Sequence, residues 1–541
     1  MKTPSFEIEF LRKLGDVELR RIVGDSIVSA VGSTHNTNLE SILAELALFK
    51  FGFRLFESKT IRLAVIDIMS EEDVITFANQ LNLKGASYFD CAKSLRDYFS
   101  TSYSEQKSIL FIDWIGFSND YYKKSIEDLR SEVELADAEY GELWALKGFL
   151  HSYQKDIKDQ VLASLINPGT RLMVQMPTGA GKTFTALETA IDILRRPYQK
   201  RFVVWMVNSN ELAEQALQSF RDLWKVKGDR SLRLFRVFNK FLPRFSDFTE
   251  GGMVFSTYDL FYSVLSNIND KRRDSLLHLI DNSAYLIVDE AHASIAETHE
   301  PCVRAFLNND VTQIVGLSAT PIRENVEEAN LLRRLYTNNL ISIRGISGEV
   351  IENPIRFLQE NGFLANIKLE LLESGVICNE KNESALLDSL AKNSERNEQI
   401  VTQIEYANSI AEKTLVFACT KDHVLALYIL CKSRNINVGF IVGDVNQSER
   451  LGILEEFRNG ELNVLINLEI LSTGIDLPNV NRLIITRPIK SSVQYSQIVG
   501  RALRGPKNGG NKQNTIVNIL DNVNYFSDIS LMYDSFRHDW E

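Results

Sequence analysis

The sequence predicts an α/β fold: two tandem doubly wound parallel-sheet domains behind a mostly helical N-terminal accessory domain. Three observations carry this. From about residue 165, short β-branched runs alternate with turns and amphipathic helical stretches. The alternation stops near residues 340–395 and then restarts. Residues 1–140 show helical apolar spacing instead, as in LESILAELALF and EEDVITFANQLNL. Apolar strands that alternate with helices read as a parallel sheet covered on both faces.

The first set of strand-like runs is Arg171–Met176, Arg201–Val207, Met253–Ser256, Ala284–Val288 and Gln313–Leu317, with helical stretches at Thr183–Arg195 and Glu211–Trp224. The second set is Thr414–Ala418, Val438–Val442, Asn463–Ile466, Arg482–Ile485 and Thr515–Ile519. Helices are expected between them at Asp422–Ser433, Gln447–Arg458 and Val493–Leu503. These patterns divide the chain into an accessory domain (1–140), a first α/β domain (141–345) and a second (346–541), with 346–395 as the junction. In the accessory domain, AVIDIM and SILFIDWIGF read equally as strands or buried helix turns.

A chain of 541 residues with 44% hydrophobic content suits three domains. The five cysteines include no CxxC pair and no neighbouring histidine cluster, which argues against a zinc knuckle or iron–sulfur cluster. The scatter suits free thiols in a reducing compartment. The N-terminus lacks the apolar core of a signal peptide, and no apolar run approaches the ~20 residues of a membrane span. A cytoplasmic protein without a membrane partner is expected. The formal net charge of -11 disfavours a broadly basic nucleic-acid binder. A basic cleft is still compatible with it, because net charge is not the local field.

Residues 176–183, Met-Pro-Thr-Gly-Ala-Gly-Lys-Thr, fall at a strand-to-helix turn. Glycines there let backbone N–H groups wrap phosphate oxygens at a helix N-terminus. Thr178, Gly179, Ala180 and Gly181 would cradle the phosphates, Lys182 would reach the β- and γ-phosphates, and Thr183 would bind Mg²⁺. The general motif opens on Gly where this chain has Met176. Residues 286–292, Leu-Ile-Val-Asp-Glu-Ala-His, end an apolar strand in two adjacent carboxylates. Asp289 would hold Mg²⁺ through water, and Glu290 would position and deprotonate the attacking water. ATP and Mg²⁺ are the cofactors this pairing calls for.

PTGAGKT followed by DEAH resembles the superfamily 2 helicases of the DEAD/DEAH-box group, and the resemblance spans roughly residues 150–520. It implies two RecA-like domains. It makes Tyr153-Gln154 resemble the segment that reads adenine. It makes VVWMVNSNELAEQ, with Asn208 and Ser209 in place of the usual Pro-Thr, and VFSTYDLF, with Ser256 and Thr257, resemble nucleic-acid-contacting segments. Ser318-Ala319-Thr320 resembles the element that, with His292, couples hydrolysis to strand movement. Thr420 in LVFACTKDH is a further candidate contact. In LEILSTGIDLPNV, the resemblance sets Thr473 on nucleic acid and Gly474 and Asp476 on the nucleotide. QIVGRALR carries Gln497, Gly500, Arg501 and Arg504. Placed on one helix, Gln497, Arg501 and Arg504 share a face that could meet the phosphates, with both arginines as arginine fingers.

The DEAH wording, GIDLP, QxxGRxxR and RGPKNGG look most like the DNA-directed branch, which includes repair translocases and restriction motor subunits. The long C-terminal helical extension usual in the processive RNA branch is not expected before Glu541. DNA is therefore the expected track, with RNA the alternative, and residues 1–140 could receive a protein partner. A motor serving a nuclease is the second reading. Glu57-Ser58-Lys59 has the E-x-K form of a restriction-type nuclease, with Glu40 and Glu45 upstream, but no suitable Asp precedes it on a strand. A third is a RecA-like switch that hydrolyses ATP only to change partners.

Overall fold

The computed structural model describes the chain apart from residues 1–5, 25–26, 28–38, 84, 101–104, 118–130, 139–149, 197–201, 249–250, 309–310, 320–325, 346–347, 377–381, 443–446, 469–479, 490–491, 501–502 and 522–541. Two sheets organise it. The first contains β1 (Val133–Ala136), β2 (Arg171–Gln175), β3 (Phe202–Val207), β4 (Leu232–Val237), β5 (Gly252–Thr257), β6 (Ser283–Val288), β7 (Gln313–Ser318) and β8 (Leu340–Ile341). Their order across the sheet is β1-β4-β5-β3-β6-β7-β2-β8, and every pair is parallel except β1 against β4. The second sheet contains β9 (Asn366–Glu373), β10 (Thr414–Phe417), β11 (Val438–Ile441), β12 (Val464–Asn467), β13 (Arg482–Ile485) and β14 (Gln513–Leu520). Its order is β11-β12-β10-β13-β14-β9, parallel throughout.

These are the tandem RecA-like units expected. β3, β5, β6 and β7 are buried along their whole length, as strands covered by helices on both faces must be. Four strands escaped the sequence reading. β4 and β8 passed unmarked, and β9 was hidden inside the expected junction because its burial alternates as in an edge strand. β1 corrects the boundary at 140: this segment closes the outer edge of the first sheet. Arg236 on β4, 2% exposed, secures it there by bonding Glu134 of β1 at 2.9 Å and Glu214 at 2.8 Å. A buried guanidinium of this kind is tolerated only when paired.

Before β1, the described positions between 6 and 115 form helices joined by short turns. AVIDIM lies in the helix Lys59–Ile68 and SILFIDW in the helix Glu105–Ile115, which settles their ambiguity. This accessory layer does not stand apart. Its apolar residues, such as Leu43 and Leu46, merge into one core with Val424, Leu427 and Ile466 of the second unit. The helix Leu39–Phe51 lies on the helix Lys421–Ser433, where the Tyr428 hydroxyl donates to Glu45. In consequence every residue from His423 to Cys431 is buried: one side of that helix faces its own sheet, the other the accessory layer. No helix among the described residues is long and apolar enough to cross a membrane.

Candidate nucleotide site between the two sheets

The phosphate loop sits where β2 feeds the helix Lys182–Leu194. Gly179 and Gly181 take positive φ values of 82° and 78°, which side chains disfavour. Contact adds a second reason at Gly181, because a Cβ there would meet Gln154 Nε2 at 2.4 Å. Gln154 and Tyr153, on the helix Ser152–Ser164, both donate to the Ala180 carbonyl at 2.9 Å. Gln154 Oε1 also accepts from the His151 N–H at 2.9 Å. Burial pushes the Tyr153 phenol pKa upward, so it remains a donor. The pair thus braces the loop from behind, and both polar ends of Gln154 are engaged by the protein.

At the end of β6 the chain turns sharply. Glu290 adopts φ 50°, a left-handed conformation unusual for a side-chain-bearing residue and frequent at functional sites. The turn lets Glu290 N–H donate to Asp289 Oδ1 at 3.0 Å. It also directs the Glu290 carboxylate to Lys182 Nζ, 3.0 Å away. Thr183 Oγ1 lies 3.2 Å from Asp289 Oδ2. Residues 106–108 positions apart in sequence are thereby joined in two pairs.

The environments drive the two carboxylates apart. Burial pushes Asp289 upward, and this outweighs the attraction of Lys182. Burial acts on Glu290 in the same sense, but Lys182 and His292 overcome it and hold Glu290 well below the usual carboxylate range. Adjacent acids in distinct environments suit distinct tasks. Thr183 Oγ1 and Asp289 are hard oxygen donors side by side, and Asp289 resists ionisation without a cation. That donor set fits Mg²⁺. His292 Nδ1 stands 3.4 Å from both Glu290 Oε2 and Ser318 Oγ, so the carboxylate, the imidazole and the end of β7 form one row.

The second unit closes over this loop. Gly500, at the end of the helix Ser492–Val499, lies so near that a Cβ there would be 1.9 Å from Thr178 Cγ2. A Cβ on Gly179 would touch Leu364 and Leu503 at 3.3 Å. Asn518 Nδ2 bonds the Tyr495 hydroxyl at 3.1 Å and anchors that helix to β14. The expected single helix through Arg504 is corrected. The helix ends at Val499, and Arg504 lies in an extended segment whose backbone pairs with Leu364. Gly505-Pro506 cannot continue a helix, and Ala365 N–H captures the Leu503 carbonyl at 2.7 Å. Gln497 is half-buried on the helix, and Arg504 is half-buried beyond it, so the two do not share a helical face.

Other sequence-predicted residues are placed unevenly. Asn208 is exposed at the end of β3, and Ser209 caps the helix Asn210–Lys227 by accepting from Leu212 N–H. Thr420 caps the helix Lys421–Ser433 in the same way, through His423 N–H. Ser256 and Thr257 are the last two residues of β5. Both side chains are buried, and Ser256 Oγ donates to the Trp205 carbonyl within the sheet. Thr320, Thr473, Gly474, Asp476 and Arg501 lie outside the described residues.

Sequence reading missed one group at this boundary. Phe363 packs against His151 and Tyr153 at ring distances of 4.6 and 4.9 Å. Lys507 lies over the Phe363 ring at 4.4 Å, and His151 Nε2 meets Asn508 Oδ1 at 2.8 Å. The signal was present in the NGF turn that follows the helix Pro354–Glu360, but only the fold brings Phe363 beside Tyr153. The nuclease-like Glu57-Ser58-Lys59 falls at a junction between helical segments rather than on a strand. Glu45 of that reading bonds Tyr428 instead.

Comparison with known proteins finds two family matches, one over part of each sheet. Residues 147–323 match the family described as type III restriction enzyme, res subunit. Residues 395–506 match the helicase conserved C-terminal domain. A Saccharomyces cerevisiae protein named as an ATP-dependent helicase, IRC3, is 29% identical over 370 residues, covering 66% of this chain and 49% of that protein. A protein named as helicase 22 of a Sulfolobus islandicus filamentous virus is 25% identical over 70% of this chain and 66% of its own. The chain thus spans about half to two-thirds of these relatives. The structure of S. cerevisiae Dbp5 bound to RNA and ADP BeF3 aligns over 71% of this chain and 87% of its own, with a TM-score of 0.46 and 18% identity. The two matches fall one on each sheet, so the chain carries in tandem a domain similar to the res subunit of type III restriction enzymes and a helicase conserved C-terminal domain.

Proposed function

We propose that this chain is a DNA translocase of the DEAH type that hydrolyses ATP in the cleft between its two RecA-like domains. One observation carries the reading. The loop holding Lys182 and Thr183 is already faced by Asp289 and Glu290 on one side and by Gly500 of the other domain. Thr178 to Thr183 bind the phosphates, and Thr183 and Asp289 would hold Mg²⁺, which offsets charge on the nucleotide when bound. Glu290, kept ionised, orients and deprotonates the attacking water. Arg504 and Arg501 complete the pocket from the second domain, with Gln497 beside them. Gly474 and Asp476 take the nucleotide's remaining contacts, and His292, Ser318 and Thr320 relay its state.

ATP draws the domains together because its terminal phosphate gains contacts from both only when they meet, and hydrolysis releases that bridge. Asn208, Ser209, Thr420 and Thr473 are the proposed contacts on a polynucleotide lying across both domains. DNA is favoured by the GIDLP and QxxGRxxR wording, and by the restriction-enzyme family to which residues 147–323 are similar. That family likeness also gives the second reading, a motor subunit of a restriction or defence complex.

The test is ATPase activity with single-stranded DNA, duplex DNA and RNA side by side. The highest stimulation is expected from DNA, and equal or greater stimulation by RNA would overturn that choice. Glu290→Gln should bind ATP and hydrolyse it very slowly, and wild-type turnover in this variant would remove the assigned role.

A further inference from the structure

β5 and β6 are not neighbours, because β3 lies between them. Their C-terminal loops nevertheless meet through side chains. Tyr258, the first residue after β5, stacks on His299 with ring centroids 3.9 Å apart and planes 10° from parallel. His299 follows the turn that begins at Glu290, and its Nδ1 bonds the Ala293 carbonyl of that turn at 3.0 Å. Ser294, from the same turn, sits 2.9 Å from the Tyr336 hydroxyl and at a looser 3.5 Å from that of Tyr258. Tyr258, Ser294 and Tyr336 are all fully buried. The contact therefore spans the end of β3, whose loop presents Asn208 and Ser209, and fastens the β5 loop to the carboxylate turn.

A packed aromatic pair has a narrow range of good geometries, so a shift of one loop is passed to the other rather than absorbed. We infer that Tyr258 and His299 are positioning residues that couple the polynucleotide-facing loops to the Asp289–Glu290 turn, so that stimulation of ATP hydrolysis depends on their stack. This rests on the nucleic-acid-stimulated ATPase reading above. The phosphate loop is held by other pairs, Lys182 with Glu290 and Thr183 with Asp289, so the unstimulated rate is expected to survive loss of the stack.

The experiment measures ATP hydrolysis by the full chain, with and without a saturating single-stranded oligodeoxynucleotide, in Tyr258→Phe, Tyr258→Leu, His299→Ala and His299→Phe. The unstimulated rate should stay close to wild type in all four. The stimulation factor should fall about fivefold in Tyr258→Leu and His299→Ala, the scale of one lost aromatic pair, and be retained in the two Phe variants. Thermal melting accompanies each. If Tyr258→Leu fails to fold, the His299 pair decides. Full stimulation in His299→Ala, a parallel fall of stimulated and unstimulated rates, or loss in His299→Phe would each overturn the inference. A wild-type chain stimulated by no polynucleotide would overturn the functional reading itself, and this inference with it. Normal wild-type stimulation beside unaffected variants removes the inference alone.

Discussion

Adding one methyl group at Gly500 tests the cleft directly. The Cβ of Gly500→Ala would fall 1.9 Å from Thr178 Cγ2 and 2.6 Å from Thr178 Cβ. Reaching ordinary contact requires the helix end and the phosphate loop to separate by about 1.5 Å, in a region packed as tightly as a protein interior. Overpacking of this kind costs about 1–3 kcal/mol. The burden falls on the closed arrangement, since each domain alone loses nothing. The closed population, and with it turnover at subsaturating ATP, should drop about 5–150-fold. Steady-state hydrolysis gives the drop, and thermal melting shows whether the domains remain folded. Thr178→Ser removes the methyl that would clash while keeping the hydroxyl. It should return part of the activity to the Gly500→Ala chain. Wild-type turnover in Gly500→Ala, or a double variant no better than the single, would refute the claim that closure at this contact drives hydrolysis.

Three further outcomes follow from other parts of the structure. Arg504→Ala should reduce ATP turnover by about 10³–10⁵, the worth of an arginine finger, with melting unchanged; a rate within tenfold of wild type would remove Arg504 from the pocket. Arg396 and Asp521 form a bidentate pair at zero side-chain exposure, with the Ser374 hydroxyl donating to the same carboxylate. Arg396→Leu should destabilise the second domain by about 3–5 kcal/mol in urea unfolding, and Asp521→Leu added to it should return most of that loss. His423 is buried, with Nδ1 accepting from Cys419 N–H at 3.1 Å and Nε2 facing Asn397 Oδ1 at 2.9 Å. Burial, reinforced by Arg396, holds its pKa well below the ordinary 6.5. The unfolded chain binds this proton first, so the stability it provides is complete above about 6.5 and is lost as pH falls below, by at most ~1.4 kcal/mol per unit. His423→Gln should flatten the pH dependence of the urea midpoint, and an unchanged slope would refute the assignment.

The candidate nucleotide site could be proposed from sequence because its residues lie in short contiguous stretches. Met176–Thr183 follows directly on β2 and Leu286–His292 contains the end of β6, so local pattern located both stretches. The strand runs of both sheets were legible for the same reason, since double-sided burial writes itself as unbroken apolar sequence. β9 was missed because an edge strand half open to solvent carries no such mark. The helix expected through Arg504 was too long because helical spacing ignores competition: Leu364 and Ala365 offer the chain backbone partners that end the helix at Val499.

By itself, then, the sequence determined the two α/β units and the residues of the phosphate loop and carboxylate turn, since each is fixed by interactions within a few residues. Only the tertiary structure decided what meets across long separations. It joined Lys182 to Glu290, Gly500 to Thr178 and Tyr258 to His299, and it set the accessory helices on Lys421–Ser433. The run from Val424 to Cys431 was expected only as part of a helix at Asp422–Ser433, and the fold alone shows that both its sides are covered. Hydrophobic burial has no direction or address of its own; the partner is chosen by the shape of the whole fold.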